Sequence, residues 1–126
     1  MQFPKAKGRF VVLFHCHPGE GDHFDLMIER GAALATWRVE APIEACSERG
    51  SLDCRRLDDH RAAYLEYEGP ISGNRGVVSR HDAGEFEILE QSPGRLVIHF
   101  SGNRTRGGFV LEVVEGADDQ WRLRLA

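Results

Sequence analysis

The segment His23 to Glu29 alternates without a break, with Phe24, Leu26 and Ile28 on one side and His23, Asp25, Met27 and Glu29 on the other. A period of two belongs to a strand with one face buried. Such a strand needs neighbours. Gly31 marks a turn, and Leu34 to Val39 reads as the return strand of a hairpin. The same pattern recurs along the chain. Arg9 to His15 is a compact run of β-branched and aromatic residues, and Gly84 to Leu89 alternates weakly. Leu96, Ile98 and Phe100 share one side of the next strand, Phe109 to Val114 forms another, and Trp121, Leu123 and Leu125 share a face at the end. Turn chemistry separates these pieces at Gly69 and Pro70, at Ser72 to Asn74 and at Ser101 to Asn103. Many short strands between turns predict a mainly β fold, a small antiparallel barrel or sandwich. Short helical or loop insertions are expected at Pro42 to Gly50, which is polar and broken, and at Asp58 to Glu68, which fits either a helical turn or a strand.

A chain of 126 residues, without an internal repeat or a linker, reads as one domain over 1–126. Its 41% apolar and 29% charged residues fit a globular core rather than disorder. The longest apolar run, Phe10 to Phe14, is far too short to span a bilayer, so no membrane partner is expected. The N-terminal residues lack the apolar core of a signal peptide. Cys16, Cys46 and Cys54 are odd in number and form no CxxC pair, which points to free thiols. A cytoplasmic protein is expected. The net charge of −4 excludes a surface coated for nucleic acid. A local basic patch remains, because Arg95, Arg104 and Arg106 occur between Arg95 and Leu111 without an acid.

Residues two apart in a strand point to the same face, so His23 and Asp25 set an imidazole beside a carboxylate. His17 lies six residues before His23, across a loop of Pro18, Gly19, Glu20 and Gly21 that can fold it back toward the strand. Two histidines and one carboxylate leave open positions on a metal ion, as catalysis requires. The competing reading makes His15 and His17 surface residues at a strand end. The polar His23 and Asp25 opposite an apolar face favour the metal.

The chain resembles the 3'-phosphoesterase domain of bacterial DNA ligase D. The resemblance rests on His17, five residues, then His23, Phe24, Asp25, Leu26, Met27, Ile28 and Glu29, followed by Gly31 and Trp37. It continues with Asp59, His60 and Tyr64, then Glu66, Tyr67, Glu68 and Gly69, and ends on Gly102, Arg104, Arg106, Gly107, Gly108 and Phe109. These blocks run from about Arg9 to Val114 and keep the family's order. The resemblance implies a compact β-barrel and a manganese-dependent enzyme that trims 3' ends of DNA. By match, His17, His23 and Asp25 are its metal ligands, and His60 and Tyr64 meet the substrate phosphate. A protonated imidazole can stabilise a leaving alkoxide, and a phenol can donate to a phosphoryl oxygen. Arg104 and Arg106 are placed to hold a nucleic-acid backbone. The partner implied is a nucleic-acid 3' end, with a DNA ligase or polymerase on a separate chain.

Two departures stand out. Met27 replaces an arginine that clamps phosphate, a role methionine lacks. The lysine after the Trp37 strand is also missing, leaving Arg38, Arg55 and Arg75 as substitutes. The expected function is therefore a divalent-metal phosphoesterase acting on 3'-phosphate or 3'-ribonucleotide ends, weakened at Met27. The ligand set suits manganese, zinc and iron alike. A metal- and DNA-end-binding module without turnover is the first rival. A cupin-type non-haem iron oxygenase is the second, and it needs His81 or His99 at the metal and His17 away from it.

Overall fold

A computed structural model describes residues 2–126. Nine strands follow in order: β1 (Lys7–Cys16), β2 (His23–Arg30), β3 (Ala33–Val39), β4 (Ser51–Arg61), β5 (Gly69–Pro70), β6 (Val77–Ser92), β7 (Arg95–Gly102), β8 (Arg106–Val113) and β9 (Gln120–Leu125). All pairings are antiparallel, in the order β1-β2-β3-β4-β9-β8-β7-β6, and β1 pairs with β6 to close an eight-stranded barrel. The short β5 adds to the start of β6. Closure removes the open edges that a sheet of this size would otherwise expose.

Pro42 to Gly50 becomes a 3-10 turn (Ile43–Ala45) and one turn of helix, α1 (Cys46–Arg49). Ile43 and Cys46 are buried there with the barrel core. Asp58 to Glu68 divides: β4 runs to Arg61, and a 3-10 turn follows over Ala62–Leu65. The weak alternation of Gly84 to Leu89 belongs to a sixteen-residue strand, β6. Register shifts in its pairing with β1 near His81 and with β7 near Leu89 interrupt the period of two. Leu125 departs from the pattern, since it is exposed while Trp121 and Leu123 are buried.

The barrel interior holds Phe10 and Val12 of β1, Leu26 and Ile28 of β2, Trp37 of β3, and Leu96, Ile98 and Phe100 of β7. A second apolar layer lies on the outside of the wall. Val11 and Leu13, Met27 and Leu34 form it with Val78 and with Leu65, Tyr64 and Ile71 from the segment joining β4 to β6. That segment crosses over β1, β2 and β3. Strands buried on both faces read as continuous apolar runs, which explains Phe10 to Phe14. β7 is covered on one face only, so it alternates cleanly. No helix among the described residues is long and apolar enough to cross a membrane.

Candidate metal centre

The polar face of β2 lies outside the barrel, beneath the crossing segment. In the β1–β2 ladder His15 sits directly opposite His23, and Leu13 opposite Asp25. Cross-strand neighbours and residues two apart on one strand share a face. His15, His23 and Asp25 therefore meet, and each offers a ligand atom within 4.8 Å of the others. All three are nearly excluded from solvent. They line a cavity of about 180 Å³ together with His17, Met27, Arg38, Arg55, His60, Tyr64 and Arg75.

The protons on these rings follow from their partners. His23 Nδ1 lies 3.1 Å from the Gly21 carbonyl, which only accepts, so Nδ1 carries a hydrogen. Its Nε2 then faces Asp25 Oδ1 at 3.3 Å. That oxygen is buried and has no hydrogen-bond donor. Two lone pairs at this spacing need a positive charge between them, either a proton or a metal ion. His15 is held at both ends, with Nδ1 3.2 Å from Asp25 Oδ2 and Nε2 donating to the Arg75 carbonyl at 2.7 Å. The hydrogen bond to Asp25 raises the His15 pKa against the opposing effect of burial, and the Arg75 carbonyl adds to the rise. Burial pushes Asp25 up, but the hydrogen bond from His15 and the two imidazoles beside its oxygens bring it down to about 2.

Gly76 makes the Arg75 contact possible. It has a φ of +91°, and a Cβ there would lie 1.8 Å from the Cys16 carbonyl oxygen. Only glycine lets the loop before β6 run this close to the end of β1.

His17 lies beside the triad, its ring centre 5.2 Å from His15 and 6.5 Å from His23. Its Nδ1 accepts from the backbone N–H groups of Gly19 and Glu20 at 3.1 and 3.0 Å. Nε2 therefore carries the hydrogen and faces Glu20 Oε2 at 3.2 Å. Of the sequence candidates, the structure brings His23 and Asp25 together, while His17 is adjacent and engaged elsewhere. His15, taken in one sequence reading as a surface residue, is part of the triad. The signal was its parity with Val11 and Leu13 on β1, which becomes informative only once the hairpin register is known.

His60 and Tyr64 line the same cavity, with ring centres 5.8 Å apart. His60 Nδ1 donates to the Asp58 carbonyl at 2.8 Å, which leaves Nε2 as its reactive nitrogen. Arg38 pairs across the ladder with Asp25 and again with Arg55. Arg104 on the β7–β8 turn and Arg106 at the start of β8 are exposed and do not line the cavity. His81 bonds Glu44 at 2.8 Å and His99 is exposed on β7, so neither reaches the triad as an oxygenase would need.

The donor set fits a divalent cation: a buried carboxylate oxygen lacking a donor, with an imidazole nitrogen aimed at it and a second histidine alongside. No curated protein matches the chain at a significant level. The family model of the DNA ligase D 3'-phosphoesterase domain matches residues 15–112, the greater part of the chain and the whole of this cavity wall. The chain belongs to the DNA ligase D 3'-phosphoesterase domain family.

Proposed function

We propose that the chain is a divalent-metal-dependent phosphoesterase that processes 3' ends of nucleic acid, removing a 3'-phosphate or a 3'-ribonucleotide. The observation that carries this reading is the unsatisfied Asp25 Oδ1 facing His23 Nε2 in a cavity that His60 and Tyr64 share. His23 and Asp25 would hold the ion. His15 completes the set by position, and His17 does so on leaving Glu20. When bound, the ion supplies charge neutralisation for the phosphate and an activated water. Manganese is the first ion to test, since zinc and iron suit the same donors.

The chain's own residues supply the rest. Tyr64 donates its phenol hydrogen to a phosphoryl oxygen, and His60 Nε2 holds a proton for the departing 3' oxygen. Arg38, Arg55 and Arg75 give the cavity positive charge toward the phosphate. Arg104 and Arg106 would meet nucleic acid away from the cavity, as backbone contacts. The test is single-turnover phosphate release from a 3'-phosphorylated primer with manganese. His60→Ala should lose turnover and keep metal affinity. Equal loss of both would make His60 a ligand and overturn its role.

Met27 favours a second reading. It is fully buried against the outer apolar layer and presents a thioether to the cavity. A binding module for metal and DNA ends, without turnover, would show tight manganese binding and no phosphate release in the same assay.

A further inference from the structure

The loop between β1 and β2 carries a carboxylate into the cavity. Glu20 Oε2 lies 3.2 Å from His17 Nε2, and Oε1 lies 3.6 Å from Arg38 Nη1 and 4.0 Å from Arg55 Nη2. The Glu20 main chain is tied down as well. Its carbonyl accepts from Arg38 Nη2 at 3.0 Å, and its N–H donates to His17 Nδ1 at 3.0 Å. The His17 and Arg38 side chains are each only 14% exposed, so two of the three donors are held in place. Two guanidinium groups and a ring N–H thus converge on one anion, in the arrangement by which proteins recognise carboxylate and phosphate oxygens alike. Arg38 is the cross-strand partner of Asp25, so this anion position adjoins the candidate metal ligands.

We propose that Arg38 and Arg55 form a phosphate seat beside the His23–Asp25 pair, and that Glu20 is its internal occupant, displaced when a terminal phosphate arrives. This rests on the phosphoesterase reading only in naming the anion as the phosphate of a nucleic-acid 3' end. Glu20 is tethered, so it competes at the high effective concentration of an intramolecular group. Apparent affinity for an external anion falls by the fraction of molecules whose seat is open. A phosphate monoester carries more charge and more acceptor oxygens than a carboxylate, so it prevails. Its arrival also removes the carboxylate from His17 Nε2, linking occupation of the seat to the state of a histidine beside the metal position.

The test is binding of inorganic phosphate to the metal-free full chain, by calorimetry at low ionic strength, where screening is weakest. Glu20→Gln should tighten binding about 3- to 10-fold, the size expected for freeing a partly exposed ion-paired group. The gain should vanish when Arg55→Ala or Arg38→Ala is added, and melting curves identify any variant that has lost its fold. The half-exposed Arg55 is the variant least able to unfold the chain. The seat is overturned if Glu20→Gln binds phosphate no better than wild type, or binds none at tens of millimolar. It is equally overturned if the gain survives loss of both arginines. Phosphate binding with these dependences but no release from a 3'-phosphorylated primer would keep the seat and remove the phosphoesterase reading. Turnover with unchanged binding in Glu20→Gln would do the reverse.

Discussion

Two aspartates are buried in this barrel wall, and their surroundings differ in kind. Asp82 on β6 accepts four backbone N–H groups, from Ala83 and Asn103 on Oδ1 and from Arg104 and Thr105 on Oδ2, at 2.6–3.0 Å. Gly102 leaves room for it, since a Cβ there would lie 2.5 Å from Asp82 Oδ2. Asp25 on β2 meets imidazoles instead, and its Oδ1 has no donor. Asp82 is saturated by fixed dipoles that never leave, which makes it a knot for the β7–β8 turn. Asp25 is held by groups whose protons can be exchanged for a cation. A buried carboxylate is thus assigned by who its partners are, and burial alone does not separate the two.

The largest expected effect breaks the comparison at Asp25. Asp25→Asn keeps the shape but removes the charge, so manganese affinity and turnover should each fall about 10³-fold, the loss of several kcal/mol of charge stabilisation. Asp82→Asn should leave both within about 2-fold for each folded molecule. Calorimetric manganese titration of the two variants decides it. A metal affinity untouched in Asp25→Asn would remove the centre altogether.

Stability separates them in the other direction. Asp82→Ala strands four N–H groups at once. Each unmet buried donor costs about 1–3 kcal/mol, and relaxation of an exposed turn recovers part of that, so about 3 kcal/mol overall is expected. Urea denaturation of the metal-free chain measures it. A loss below about 1 kcal/mol would mean the turn holds without its aspartate.

How much of this was readable beforehand follows from distance along the chain. The β2 alternation, the β7 alternation and the turns are local, and the barrel class came from them. The facing of His23 and Asp25 is also local, since parity alone decides it. His15 was not, because it joins the site through a hairpin register set across the loop from His17 to Asp22. Nor was the outer apolar layer, where Met27 meets Leu65 and Ile71 from far along the chain. The Asp82 knot was equally hidden, as its donors lie about twenty residues away. Arg104 and Arg106 read as a nucleic-acid grip, and the structure places the Arg104 backbone in the turn that Asp82 organises, with both side chains exposed.

The pH profile of the metal-free chain sharpens the contrast further. Asp25 lies at about 2 against an ordinary value of 3.8, so its stabilisation is full above pH 4 and lost as pH falls from about 4 toward 2. That contribution is about 2 kcal/mol. Backbone hydrogen bonds hold Asp82 below its ordinary value against the effect of burial, so it too acts on the acid side. His15 is raised above 6.5, so its stabilisation is present below pH 6.5 and lost as pH rises through its folded value. The buried thiols Cys46 and Cys54, pushed up to about 11 and about 12, act only above pH 9. A decline beginning above pH 6.5 is therefore the one expected from His15 in the Asp25 region. Denaturation across pH 3–9 should show it in wild type and in Asp82→Asn, and not in His15→Gln. Its persistence in His15→Gln would detach it from the pair.

The smallest effect concerns Met27, the apolar neighbour of Asp25 at the position where the family resemblance implies an arginine. Met27 shares the face of His23 and Asp25 and borders the cavity, but it also packs into the outer apolar layer. A guanidinium there would gain a charged contact to phosphate, ordinarily about 1.5–3 kcal/mol. Arg38 already stands beside Asp25 on the next strand, so part of that role is filled. Met27→Arg should therefore raise single-turnover phosphate release only about 5-fold, and should cost about 1–2 kcal/mol of stability from lost packing. A much larger gain would show that Arg38 stays with its carboxylate partners Glu20 and Glu40, 3.6 and 3.2 Å away, during turnover. No turnover in either form, with manganese still bound, would leave the protein as a module that holds an ion and a nucleic-acid end without cutting it.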